Sequence, residues 1–367
     1  MNTLQRLHAE HQQSPWIDFI DRKLIESGRL EQMVRDGIRG LTSNPTIFGK
    51  AVASGQYDDL IKREIEAGHD SAAIYEEIAV TDVGDAADIL RSVYDEADGA
   101  DGFCSIEVEP ELAADSEKTL DRARQLWKRL GRPNVFVKIP ATPAGLPAIE
   151  DAIADGININ ITLMFSVDVY RDVARAYIAG LRRRLERGDD IRRVASVASF
   201  FVSRVDTKAD KWLDEIGTDA AKALRGRAAI ANAKLAYAAY QEIFGGAEFA
   251  DLRAAGARVQ RCLWASTSTK NPDYRDVLYV EELIGPQTVD TMPLETIDAF
   301  LDHGRLERTL DQDVEGAREV VRQIEAQGIS MQRVTDELID EGVASFGKSF
   351  DDLIATIDSQ RKALAPA

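Results

Sequence analysis

The chain has 367 residues, of which 44% are hydrophobic, 29% charged and 7% aromatic, a composition that supports a large buried core and excludes an intrinsically disordered chain. Its formal net charge of −18 repels nucleic acid backbones and anionic membrane surfaces, so neither is expected as a partner. An anionic small molecule would need a local patch of positive charge to bind here, which draws attention to the few basic residues near strand ends.

The first 14 residues are polar and lack the charged-then-apolar layout of a secretory signal. No stretch approaches the ~20 apolar residues of a membrane-spanning helix. The first strand-like run, 16–20, holds Asp18 among Trp16, Ile17, Phe19 and Ile20, where a helix cap is as good a reading as a functional acid. The second, 37–44, ends in Leu-Thr-Ser-Asn-Pro and brings Thr42 and Asn44 to its C-terminal end. An acidic turn at 95–102 leads into the third, 102–109, where Ile106 and Val108 face one way and Ser105, Glu107 and Glu109 the other. Glu109, just before Pro110, belongs at the rim. Glu107 lies deeper and is the better catalytic candidate, with an ion pair to Lys138 as its plain structural role.

The fourth run, 134–140, sets Val135, Val137 and Ile139 on one face and Asn134, Phe136 and Lys138 on the other. A lysine inside an apolar strand is costly unless paired. It is either a structural ion pair or an amine nucleophile, because burial disfavours an ammonium and frees the amine to attack a carbonyl. The fifth run, 157–164, alternates Ile157, Ile159, Ile161 and Leu163 with Asn158, Asn160 and Thr162, a polar face suited to sugar hydroxyls or to a buried polar ladder. A helix follows over 167–187, with Ser166 as N-cap and Gly188 as its stop. The sixth run, 194–201, presents Ser199 and Phe201 and then Arg204, whose other reading is a helix cap. Residues 205–249 are Ala-rich and read as a pair of helices. The seventh run, 258–266, leads to Ser266 and Lys270, and a weak eighth lies at 288–292. A last helix is expected from 343 to about 360, with Phe346, Phe350, Leu353 and Ile357 on one face.

Eight strands alternating with helices predict a parallel sheet closed as a (β/α)8 TIM barrel in the α/β class, with additional helices after strand six and at the C-terminus. An open doubly wound sheet is the alternative, weakened by the lack of a Gly-x-Gly-x-x-Gly after the first strand. One domain is expected over 1–367, with the barrel at about 14–303 and C-terminal helices at about 304–362. In a barrel, inward-facing residues near the C-terminal strand ends form the active site, and late strands often hold phosphate, which suits Arg204, Ser266 and Lys270. Cys104 and Cys262 lie apart in apolar runs and are expected as buried free thiols, in keeping with a cytoplasmic protein. The four histidines form no cluster with metal-ligand spacing, so no metal site is expected.

Five segments, in this order, resemble the transaldolase family: TSNPTIF at 42–48, SIEVEP at 105–110, VKIPAT at 137–142, NITLMFS at 160–166 and SVASFFVSRVDT at 196–207. The length and the run RVQRCLWASTSTKNPDY at 258–274 look most like the longer transaldolases of actinobacteria and similar bacteria. The resemblance implies a Schiff-base role for Lys138, acid/base work for Asp18, and a water-relayed role for Glu107 with Thr162 placing the water. It implies that Asn44 and Asn160 hold dihydroxyacetone hydroxyls, that Thr42, Ser199 and Phe201 line the same pocket, and that Arg204 binds phosphate. Many family members carry a second arginine soon after the Ala-Ser of strand seven. Here Ala265-Ser266 is followed by Thr-Ser-Thr and Lys270, which would supply that charge.

The implied reaction moves a dihydroxyacetone unit from sedoheptulose 7-phosphate to glyceraldehyde 3-phosphate in the pentose phosphate pathway, with no cofactor, with sugar phosphates as partners, and with a monomer or homodimer as the expected state. Two rivals stand. One is a fructose-6-phosphate aldolase-like enzyme, although those resemble this chain with glutamine and tyrosine in place of Glu107 and Phe201. The other is a non-catalytic binding barrel in which Lys138 and Glu107 are only an ion pair.

Overall fold

A computed structural model describes residues 1–365. Its eight strands are β1 (Gln13–Asp18), β2 (Gly40–Thr42), β3 (Phe103–Glu107), β4 (Val135–Pro140), β5 (Ile159–Met164), β6 (Ser196–Phe201), β7 (Arg261–Ala265) and β8 (Thr288–Met292). Each pairs in parallel with the next, and β8 pairs with β1 to close the barrel. Helices follow the strands on the outside, as the apolar outward faces of such strands require. The open-sheet alternative is therefore excluded.

The strands lie at the expected places but with shifted ends. β1 begins at Gln13 rather than Trp16, because the buried Gln13 amide donates to Leu283 O (2.7 Å) and Thr288 Oγ1 (2.9 Å) and so joins the seam. It ends at Asp18, two residues short of the expected limit. β5 also breaks the expected alternation. Leu163 takes a left-handed φ of +57°, and the β5–β6 register shifts between Ile161 and Met164. Leu163 thus leaves the outward apolar face and meets Gly342 of the last helix, where a Cβ would approach Leu163 Cδ2 to 3.0 Å.

The floor of the barrel is filled by rings. Phe103 and Phe136 stack at 4.3 Å between centroids, with Trp16 6.1 Å from Phe136. Gly40 is required there, since a Cβ would fall 2.3 Å from the Trp16 ring. Below the rings, Asp101 accepts from Trp16 Nε1 (3.0 Å), Arg39 Nε (2.8 Å) and the Ser14 hydroxyl, and Arg261 lies 3.4 Å away. These contacts close the N-terminal end and leave the C-terminal end as the open mouth.

The helix after β5, Val167–Glu186, is capped by Ser166 Oγ, which accepts from the Asp168 and Val169 amides. Gly188 beyond it has a φ of +80°. After β6 come the helices Ser203–Ile216 and Ala228–Gly245, the expected pair, with a short turn of helix at Asp219–Lys222 between them. Buried Asp206 ties them together, accepting from the Ala229 amide (2.7 Å) and from Tyr279 OH (2.8 Å). The final helix is longer than expected: it runs as one piece of 34 residues, Met331–Leu364, from an N-cap at Ser330. Its first turns are largely polar, so only the apolar second half stands out in the sequence. It lies across the mouth, packed on the helix Pro45–Ala53 and on the end of β5.

Candidate active site

At the C-terminal mouth the strands surround a cavity of about 310 Å³. Lys138 of β4 reaches its floor. Its side chain is 7% exposed, as is that of Glu107, its neighbour in register on β3. Lys138 Nζ donates to Ser43 O at 3.1 Å and to Glu107 Oε2 at 3.3 Å. Burial raises the Glu107 carboxyl above the ordinary carboxylate range, and the charge of Lys138 opposes that rise. Glu107 does not itself line the cavity; it stands behind Lys138.

On the other side of the amine, Asp18 ends β1 and lines the cavity. Its Oδ1 accepts from Thr42 Oγ1 at 2.7 Å, and that hydroxyl lies 2.8 Å from Thr291 Oγ1. Burial raises the Asp18 carboxyl too, while the Thr42 hydrogen bond and Lys138 pull it down. Two carboxyl groups with a heightened hold on protons therefore flank one amine, an arrangement fit for proton transfer.

Asn44 is the N-cap of Pro45–Ala53. Its Oδ1 accepts from the Ile47 amide at 3.1 Å, which turns its Nδ2 into the donor left for a ligand in the cavity it lines. Ser199 and Thr162 also line the cavity. Asn160 stands one step behind, its Nδ2 donating to Ser105 Oγ (3.1 Å) and its Oδ1 accepting from the Ser199 hydroxyl at 2.6 Å. Asn158, on the same parity, lies lower and serves structure: it bonds Pro133 O, Val135 O and the Ala195 amide. Glu109 is claimed by Arg122, whose Nε donates to both carboxylate oxygens (2.9 and 2.8 Å) and whose Nη2 donates to Oε1 (2.6 Å).

The far wall is basic. Arg204, at the start of Ser203–Ile216, lays its guanidinium over the Phe201 ring at 5.1 Å. It has no carboxylate partner among the described residues, and burial lowers its pKa below the ordinary value. Ser266 follows β7 directly with a left-handed φ of +59°, its hydroxyl 2.9 Å from that of Ser203. Lys270 lines the cavity and donates to Ser268 Oγ at 2.7 Å. A half-buried arginine with no carboxylate partner among the described residues, beside hydroxyls and a lysine, has the chemistry to seat a phosphate.

The mouth also holds residues the sequence reading missed. Thr291 and Glu295 come from β8 and its following helix, and Ser345, Phe346 and Ser349 from the last helix. The Phe346 ring centre lies 5.8 Å from Lys138 Nζ. Phe346 was legible only as part of an apolar face, and Thr291 only as an inward-parity hydroxyl on a weak strand. Among the described residues, no group of three His, Cys, Asp or Glu side chains is placed to hold a metal.

The family described as transaldolase/fructose-6-phosphate aldolase matches residues 15–357. A transaldolase of Mycolicibacterium paratuberculosis is 48% identical over 351 residues, covering 95% of this chain and 94% of its own. One of Thermobifida fusca is 47% identical over 348 residues, covering 94% and 95%. Transaldolase 2 of Nostoc punctiforme is 45% identical over 370 residues, covering 97% of each.

Proposed function

The chain belongs to the transaldolase/fructose-6-phosphate aldolase family, and from that premise we infer that it is a transaldolase, moving a dihydroxyacetone unit reversibly from sedoheptulose 7-phosphate to glyceraldehyde 3-phosphate. The products are erythrose 4-phosphate and fructose 6-phosphate. The observation that carries the residue-level reading is the Lys138 amine on the cavity floor, 3.3 Å from Glu107.

In this reading Lys138 attacks C2 of the ketose, and Glu107 passes protons, through a water set by Thr162, as the carbinolamine loses water. The iminium draws electrons from C3. Asp18 takes the proton of the C4 hydroxyl, the C3–C4 bond breaks, and the aldose phosphate departs. The pair left on C3 becomes an enamine on Lys138, which adds to the incoming aldehyde by the reverse steps. Splitting the transfer through a covalent intermediate gives ping-pong kinetics. Asn44, with Thr42 and Ser199 beside it, would orient the dihydroxyacetone hydroxyls, and Asn160 would act on them from behind the wall through Ser199, which donates to it. Arg204 on its Phe201 platform, Ser266 and Lys270 would hold the phosphate. Such positioning supplies a large share of rate enhancement.

Transfer is favoured over release of free dihydroxyacetone because Glu107 and Phe201 stand where the aldolase resemblance has glutamine and tyrosine. A non-catalytic barrel is disfavoured by the unclaimed Arg204. The proposal extends to one domain over the whole chain, supported by the packing of Gly342 on Leu163. It also extends to a cytoplasmic monomer or homodimer, supported by two buried free cysteines. No helix among the described residues is long and apolar enough to cross a membrane.

The test is borohydride reduction in the presence of fructose 6-phosphate, followed by peptide mass mapping. A three-carbon adduct is expected on the Lys138 peptide, and Lys138→Met is expected to lose both adduct and transfer to erythrose 4-phosphate. Full transfer by that variant would overturn the reading.

A further inference from the structure

The last helix, Met331–Leu364, brings an aromatic ring to the nitrogen on which the chemistry depends, with the Phe346 ring centre 5.8 Å from Lys138 Nζ. The helix is fixed on both sides of that residue. One to three turns earlier, Gly342 packs on Leu163, and Lys208 pairs with Glu337 (2.7 Å) and Glu341 (2.6 Å). One turn later Phe350 meets Tyr75 edge-on at 5.4 Å, and two turns later buried Leu353 lies over Gly49. Phe346 is thus held as an apolar cover in a cavity otherwise lined largely by hydroxyls and charges, among them Ser345 and Ser349 of the same helix.

We propose that Phe346 shields the enamine on Lys138 from hydrolysis until the second sugar arrives. The proposal rests on the transaldolase reading and deepens it. The step it suppresses begins when C3 of the enamine takes a proton, which restores the iminium. Water then adds its oxygen to C2 and gives a proton to the nitrogen. The C2–N bond breaks, its electron pair stays on Lys138, and the C2 hydroxyl gives up its proton as the carbonyl forms. One water is consumed and free dihydroxyacetone leaves, so no three-carbon unit remains to transfer. An aromatic ring beside the nitrogen removes the room this water needs and offers its electron-rich face to the cation.

The experiment compares the full chain with Phe346→Ala, Phe346→Gln and Phe346→Leu. Each is given fructose 6-phosphate with erythrose 4-phosphate, and the ratio of free dihydroxyacetone to sedoheptulose 7-phosphate is measured, with melting temperature as a fold check. Phe346→Ala is expected to raise the ratio about tenfold, and Phe346→Leu, still apolar, to stay within about threefold of the parent. Phe346→Gln fills similar space but can hydrogen-bond water, so it is expected to leak as well and stands in if the alanine variant does not fold. A parent chain that forms the Lys138 adduct and transfers, with the ratio unchanged in the folded variants, overturns the shield alone. A parent chain with no adduct overturns the transaldolase reading and the shield with it.

Discussion

Most buried or half-buried arginines here have a carboxylate beside them: Arg22 has Asp82, Arg122 has Glu76 and Glu109, and Arg275 has Glu281. Arg204 has none among the described residues, and burial alone lowers its pKa. Leaving a guanidinium desolvated is unfavourable, and a phosphate would offset that cost with charge-assisted hydrogen bonds worth about 1.5–3 kcal/mol. Arg204→Ala is therefore expected to raise KM for fructose 6-phosphate about 10- to 100-fold with a smaller effect on kcat. Arg204→Lys is expected to recover only part, since an ammonium lacks the planar fork. Steady-state kinetics decide it, and an unchanged KM removes Arg204 from the phosphate seat. Alternation along a strand made the inward facing of Lys138, Glu107 and Ser199 legible. It gives the face of a side chain but not its height in the barrel, which strand stagger sets. Hence Asn158 and Asn160 read alike in sequence, yet the first stitches strands together and the second stands behind the cavity wall. Thr291 escaped notice because a lone hydroxyl raises no charge to flag it.

At the scale of elements, strand centres were legible from apolar periodicity, whereas ends were not, because partners far along the chain decide them. Gln13 belongs to β1 only because Leu283 and Thr288 supply acceptors. The final helix hid its first turns for a related reason. Met331, Val334, Thr335 and Leu338 are buried, but polar residues dominate between them. The kink at Leu163 has no signature in its own residue type. Its counterpart is Gly342, where the helix packs on Leu163 with little room to spare for a side chain. A β-branched side chain there would overpack the contact and push the helix off the mouth, at a cost of about 1–3 kcal/mol. Gly342→Val is thus expected to lower urea-unfolding stability by that amount and to reduce transfer activity. Gly342→Ala is expected to stay within about 1 kcal/mol, because better helix propensity offsets the tight 3.0 Å approach. Equal stability and activity for the valine variant would show that the contact does not fix the helix.

For the whole molecule, parallel β/α alternation made closure legible but not the chemistry of the seam. β8 seals the barrel between β7 and β1, and on the face opposite Thr291 it buries Asp290. One of its oxygens accepts from Thr267 Oγ1 at 2.9 Å, and the other has no partner among the described residues. Burial, opposed only by that hydrogen bond, pushes the carboxyl up to about 7, from 3.8. The folded protein therefore holds a proton that the unfolded chain has released. The stability this contributes is fully present below pH 3.8 and is lost as pH rises through about 7. Other groups titrate too. Burial lowers the pKa of His8, whose contribution is lost as pH falls below 6.5, and Asp101, held down by Arg261 and Arg39 against burial, matters only below 3.8. A difference between two chains cancels both. Asp290→Asn replaces the ionisable group with a neutral one of the same shape that can still accept from Thr267. At pH 5 the asparagine variant should already be the more stable, because the unfolded Asp290 ionises above pH 3.8 while the folded one still holds its proton. Between pH 5 and 7 the variant's lead should grow by a further ~2–3 kcal/mol, at about 1.4 kcal/mol for each pH unit crossed below the folded pKa, and should level off by pH 8. Urea unfolding of both chains at pH 5, 6, 7 and 8 measures this gap. Two parallel curves would mean that the closing strand carries its acid charged and without strain, and that the seam tolerates what its geometry says it should not.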